Sequence, residues 1–109
     1  MKKLSPSLLQ NATERIVQLT HPLRIYLYGS HAYGEPNDNS DIDMLVVLKD
    51  SFEKPHERAV GIYASLRGLF APFEIKVDTQ EEFERRSKWL SSVERFVAEK
   101  GRLLYESKI

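Results

Sequence analysis

The sequence predicts an α/β fold, one small mixed β-sheet with helices packed on it. Two short runs rich in β-branched, leucine and aromatic residues, Leu23–Tyr28 and Ile42–Leu48, read as buried strands. A third run, Phe73–Val77, alternates apolar with charged residues, as a strand with one face on the core does. Between and around them, apolar residues recur at helical spacing.

In chain order, Leu4, Leu8, Leu9, Ala12, Ile16, Val17 and Leu19 mark a first helix, with Ser5-Pro6 as its N-cap and first-turn pair. Thr20-His21-Pro22 stops it. Leu23–Tyr28 follows and ends at Gly29. The stretch from Gly29 to Ser40 holds two glycines, a proline, two asparagines and two serines, which makes it a loop with room for one helical turn. Ile42–Leu48 is the most apolar run in the chain, with Asp43 its single charged residue, and is expected at the centre of the sheet. Glu53 to Leu69 is expected as one helix. Thr79-Gln80-Glu81-Glu82 resembles a capping box that opens another. Phe83, Trp89, Leu90, Val93, Phe96 and Val97 continue helically to Gly101, and Leu103-Leu104-Tyr105 forms a last short strand. The expected order is α-β-β-α-β-α.

At 109 residues the chain is expected to form one domain, residues 1–109, with a modest core. Sixteen basic and sixteen acidic residues cancel, so no overall field gathers nucleic acid or anionic membrane. Cysteine is absent, which rules out disulfides and thiolate metal sites and fits a reducing compartment. No apolar run is long enough for a signal peptide or a membrane span, so the cytoplasm is the expected location.

The segment that carries chemistry is Gly29-Ser30, followed ten residues later by Asp41-Ile42-Asp43 at the head of an apolar strand. Strand residues two apart project to one face, so Asp41 and Asp43 point together, with Cα atoms about 6.5–7 Å apart. Two carboxylates that close repel unless a cation lies between them. Mg²⁺, or Mn²⁺ in its place, suits oxygen ligands of this kind together with substrate phosphates and water. Glycine at position 29 permits close backbone approach, and the turn's amides with the Ser30 hydroxyl form an anion site. A phosphate-binding turn beside metal-binding carboxylates is what nucleoside triphosphate chemistry needs.

The setting YGSHAYGEPNDNSDIDMLVVL resembles the signature of the DNA polymerase β-type nucleotidyltransferase superfamily, and more narrowly its minimal nucleotidyltransferases. FEIKVDTQEEFERR and VAEKGRLLYE also look like that family's later segments. The resemblance implies transfer of AMP from ATP to a hydroxyl with release of pyrophosphate. Asp41 and Asp43 would then be catalytic metal ligands, and Gly29 and Ser30 would hold the β- and γ-phosphates. It implies a third carboxylate on a neighbouring strand, for which aligning TQEEF with the family's helix start gives Glu74. Asp78, nearer the end of the same strand face, is the alternative. Glutamate at that position departs from the family's usual aspartate. The resemblance also implies a HEPN-domain protein as partner, with the chain an antitoxin that adenylylates it.

Other patterns point elsewhere or nowhere. Gly29-x4-Gly34 lacks the Gly-Lys-Ser/Thr of a phosphate loop, and no Gly-x-Ser-x-Gly occurs. His31 is expected as a solvent-facing first-turn residue, and His21 and His56 as loop residues beside prolines. Lys76 shares the Glu74 face, free to pair with a carboxylate or a phosphate. Trp89, Phe83 and Phe96 are expected in the core or at a subunit contact. Two rival functions stand beside the leading one: a binding module that neutralises a partner by covering it, and a small-molecule transferase similar to the aminoglycoside nucleotidyltransferases.

Overall fold

The protein was analysed as a computed structural model that describes residues 5–34 and 40–108. The expectations on Leu4 and on loop positions 35–39 lie outside those residues. Helix α1 (Pro6–Thr20) starts where expected: the Ser5 hydroxyl accepts the Leu8 amide at 3.4 Å and proline occupies the first turn. It ends at His21 in the left-handed conformation. Strand β1 (Arg24–Tyr28) leads into a one-turn helix, α2 (Ser30–Tyr33), and strand β2 (Ile42–Leu48) follows. Next come a 3₁₀ turn (Pro55–Glu57), α3 (Val60–Ser65), β3 (Phe73–Thr79), α4 (Gln80–Arg86), α5 (Val93–Lys100) and β4 (Arg102–Glu106).

The four strands lie in the order β3-β2-β1-β4, with β2 parallel to β3 and β1 antiparallel to both β2 and β4. The mixed sheet is therefore borne out, and β2 sits inside it. Its near-continuous apolar run has a direct cause, because both faces of β2 are covered. Ile42, Met44 and Val46 join Leu9, Ile16, Ile25, Ile62 and Val77 beneath α1 and α3. Leu45 and Val47 join Phe83 and Val97 beneath α4 and α5.

Two expected helices are shorter than their apolar spacing suggests. The stretch from Glu53 to Leu69 is helical only over Val60–Ser65, preceded by the 3₁₀ turn. Pro55 opens that turn, and at the other end the Leu66 amide reaches Tyr63 as well as Ile62, tightening the last turn. Gly68 and Phe70, both at positive φ, then end the path. The stretch to Gly101 is likewise broken, because Ser92 acts on both sides of the gap. Its hydroxyl donates to the Arg86 carbonyl at 2.5 Å and accepts the Arg95 amide at 3.0 Å, closing α4 and capping α5. Trp89 and Phe96 are consequently exposed, and of the three aromatics only Phe83 enters the core. The charged run Glu81–Arg86 is more than a solvated helix face. Glu82 completes the capping box with Thr79 and pairs with Arg58, and Arg86 pairs with Asp78 at 3.1 Å.

The Arg58 hydrogen bond holds the Glu82 carboxyl down at about 2. A depressed carboxyl stabilises the fold while it is ionised, so its contribution is complete above its ordinary range near pH 4.5 and is lost as pH falls through about 2. Glu82→Gln should therefore cost about 2 to 3 kcal/mol at pH 7, and that deficit should shrink toward zero by pH 2. Urea unfolding across this range checks both statements.

Candidate active site

The site forms where β1 ends, β2 begins and β3 runs alongside. The register puts three side chains on one rung: Tyr28 of β1 faces Asp43 of β2, which faces Glu74 of β3. All three lie on the α4–α5 side of the sheet, since Asp43 is two residues from Leu45 in the cluster that holds Phe83 and Val97. Asp41 precedes the strand and is exposed. It lies near enough for its charge to act on Asp43.

Gly29 makes the closest approach. Its backbone sits at φ 75° and ψ −160°, a region essentially confined to glycine. A Cβ built there would run into Asp43 Oδ2 and lie 3.0 Å from Asp43 Cγ. The turn and the aspartate are thus packed directly against each other. Immediately beyond, α2 begins. The amides of Ala32 and Tyr33 bond to the Gly29 carbonyl and that of Gly34 to the Ser30 carbonyl, which leaves the Ser30 and His31 amides without a partner inside the helix. Those donors and the Ser30 hydroxyl follow directly on Gly29, the residue packed against Asp43.

Among the described residues, no ion pair neutralises Asp41, Asp43 or Glu74. Burial raises the Asp43 carboxyl above the usual range, and the charges of Asp41 and Glu74 raise it further, while His31 acts in the opposite sense. The Tyr28 hydroxyl is also raised, first by burial and then by Asp43 and Glu74. The acids form an open set. Among the described residues no three His, Cys, Asp or Glu side chains stand together as a ready cage for a metal ion.

The remaining expected residues fall into place around this rung. His31 does belong to the first turn, but it is half-buried. Its Nε2 lies 3.3 Å from the Ser40 carbonyl oxygen and its Nδ1 is sealed inside. The short α2 turns it toward the return of the loop, which explains the difference. His21 and His56 are exposed next to their prolines. Asp78 shares the Glu74 face but stands four residues further along β3, opposite Val47, and is buried. There it meets Arg86, and burial followed by the adjacent Glu94 raises its carboxyl to about 7. Lys76, between the two, lies 3.4 Å from Glu94 Oε2, so its partner is a carboxylate. Tyr28 and the Asp78–Glu94 pair were not singled out from the sequence. Tyr28 was legible in principle, since it immediately precedes Gly29, whereas the Glu94 pairing depends on how α5 docks.

Gly29→Ala should lower stability by about 1 to 3 kcal/mol, because it forces a side chain into a glycine-only conformation and against Asp43. In urea unfolding, Gly29→Ala combined with Asp43→Ala should fall short of the summed single losses, since the second change removes the atoms that clash. Asp43→Asn alone should stabilise the fold at neutral pH. A carboxyl with a raised folded pKa opposes folding only when ionised, so the gain should fade as pH drops to the carboxyl's unfolded range near pH 4.

Comparison with known proteins gives the family and the fold. The family described as polymerase beta nucleotidyltransferase matches residues 10–109. A candidate nucleotidyltransferase from Sulfolobus solfataricus superposes with a TM-score of 0.64 at 22% identity, over 92% of this chain and 78% of its own. A second candidate nucleotidyltransferase gives 0.55 at 25% identity, over 89% and 97% of the two chains. A mutant of the toxin–antitoxin MntA-HpeT gives 0.53 at 21% identity, over 91% and 74%. No curated protein matches the chain in sequence. With the family match running from Gln10 through the last residue, and the Gly-Ser turn packed on the Asp-x-Asp strand, this chain belongs to the polymerase beta nucleotidyltransferase family.

Proposed function

We propose that the chain transfers AMP from ATP to a hydroxyl on a partner protein, releasing pyrophosphate. The supporting observation is the packing of Gly29 against Asp43 on a rung shared with Glu74, which sets an anion-binding turn beside a cluster of carboxylates. Asp41, Asp43 and Glu74 would hold Mg²⁺ or Mn²⁺. The mutual repulsion that raises Asp43 is what such a cation relieves, and an open acid set suits an ion that keeps waters and phosphate oxygens among its ligands. The bound metal would neutralise charge on the phosphates and on the leaving pyrophosphate.

The Ser30 and His31 amides and the Ser30 hydroxyl would take the β- and γ-phosphate oxygens. The acceptor oxygen attacks the α-phosphorus and forms a new P–O bond. The bond from that phosphorus to the bridging oxygen breaks, and pyrophosphate leaves with the electron pair. Glu74, the exposed acid of the rung, receives the hydroxyl proton.

The MntA-HpeT relative is a toxin–antitoxin pair, crystallised with two aspartates, two positions apart, changed to glutamate. Asp41 and Asp43 have the same spacing. On this reading the partner is a HEPN-type ribonuclease toxin in the cytoplasm, silenced by adenylylation. Among the described residues no helix is long and apolar enough to cross a membrane. The longer Glu74 side chain favours a second reading, in which the chain neutralises its partner by covering it; neutralisation without ATP and Mg²⁺ would establish that instead. Asp41→Asn with Asp43→Asn should lower incorporation of α-labelled ATP into the partner by at least about a thousandfold, as loss of the principal charge-stabilising groups does. Labelling that survives the double change rejects the assignment.

A further inference from the structure

Resting on the nucleotidyl-transfer reading, we propose that the groove along β3 selects an acceptor hydroxyl flanked by carboxylates, read by Lys76 and Arg86. The groove has a volume of about 520 Å³ and runs from Tyr28 and Glu74 past Lys76 to Arg86, with His56 and Tyr63 on its other wall.

Its place follows from the displacement itself. Attacking and leaving oxygens lie on opposite sides of the phosphorus. The pyrophosphate is held at Gly29–Ser30, at the β1 side of Asp43. The acceptor therefore arrives from the β3 side, where Glu74 continues the same rung and the groove opens.

Its chemistry follows from which charges reach the surface. Lys76 and Arg86 contact the acids Glu94 and Asp78, but the acids are inside and the cations outside. Side-chain exposure is 38% for Lys76 and 27% for Arg86, against 4% for Glu94 and 1% for Asp78. The wall thus carries two partly exposed cationic side chains, one of them two residues along β3 from Glu74. They lie across β2 from the turn that would bind the triphosphate, so an anion of the acceptor is their ligand.

A polypeptide fits better than a nucleic acid. Two cations on a chain of zero net charge are too few for phosphate-backbone binding, and Tyr63, Ala59 and Pro55 give the groove an apolar side. Strand addition is blocked, because the Ile75 amide already donates to the Tyr63 hydroxyl at 2.8 Å and the Val77 carbonyl accepts from Arg58 at 3.4 Å. Side chains, not backbone pairing, make the selection.

The test uses α-labelled ATP, Mg²⁺ and three probe acceptors: a random copolymer of glutamate and tyrosine, one of lysine and tyrosine, and a single-stranded oligoribonucleotide. The acidic copolymer should be labelled about tenfold faster than either alternative, the factor that one charge-assisted contact of about 1.4 kcal/mol confers. Lys76→Gln should raise KM for it by a similar factor and leave KM for ATP unchanged, whereas a merely structural role for Lys76 would move both. Equal labelling, preference for the basic copolymer or the RNA, or no labelling by a protein that still binds MgATP overturns the groove assignment alone. Failure to bind MgATP overturns the nucleotidyl-transfer reading and this one with it.

Discussion

The contact between Gly29 and the Asp43 carboxylate constrains everything around it. It joins the end of β1 to the start of β2 more closely than a side chain on residue 29 would allow, and the conformation at that turn admits almost nothing but glycine. From that one point, α2 is set to begin at Ser30, and His31 is brought round to the Ser40 carbonyl just before Asp41. The antiparallel pairing of β1 with β2 then fixes Tyr28 opposite Asp43, and the parallel pairing of β2 with β3 adds Glu74. A slip of one residue in either ladder would turn these side chains to the α1–α3 face and bury the acids in the core.

Holding unpaired acids together opposes folding, and the rest of β2 offsets it. Five of its seven residues are buried, distributed over two hydrophobic clusters on the two faces of the sheet. A strand packed from both sides resists register shifts, which lets Asp43 remain in a position where burial and its neighbours both raise its carboxyl. The opposite solution appears four residues further along β3. There Asp78 and Glu94 are buried more deeply than Asp43, yet each has a cation beside it in Arg86 or Lys76. Among the described residues, one acid cluster has ion-pair partners in the protein's own cations and the other has none.

The sheet and the central acids were legible in the sequence because they depend on short-range pattern. The period-two alternation at Phe73–Val77, the apolar run broken only by Asp43, and the spacing from Gly29-Ser30 to Asp41-x-Asp43 all survive without knowledge of distant contacts. Helix lengths were less legible. The apolar spacing from Glu53 to Leu69 and from Phe83 to Gly101 reads as continuous, yet Gly68 and the two-sided bonding of Ser92 end helices that the pattern alone would extend. The pairs Arg58–Glu82 and Asp78–Glu94 join residues that only tertiary packing brings together, and no local signal announces them. His31 shows the same limit, since a histidine next to a turn looks exposed until the loop's return covers it.

The position of β3 at the sheet edge gives the arrangement its direction. Residues on the Tyr28 side of Asp43 belong to a paired strand and a helix start. Residues on the Glu74 side belong to an edge, where side chains of α3 and the segment before it occupy backbone groups but leave a groove. An edge strand left open in this way is ordinarily a liability for aggregation. Here the bonds from Tyr63 and Arg58 blunt the backbone edge, so the edge resists strand pairing while the groove beside Glu74 stays open.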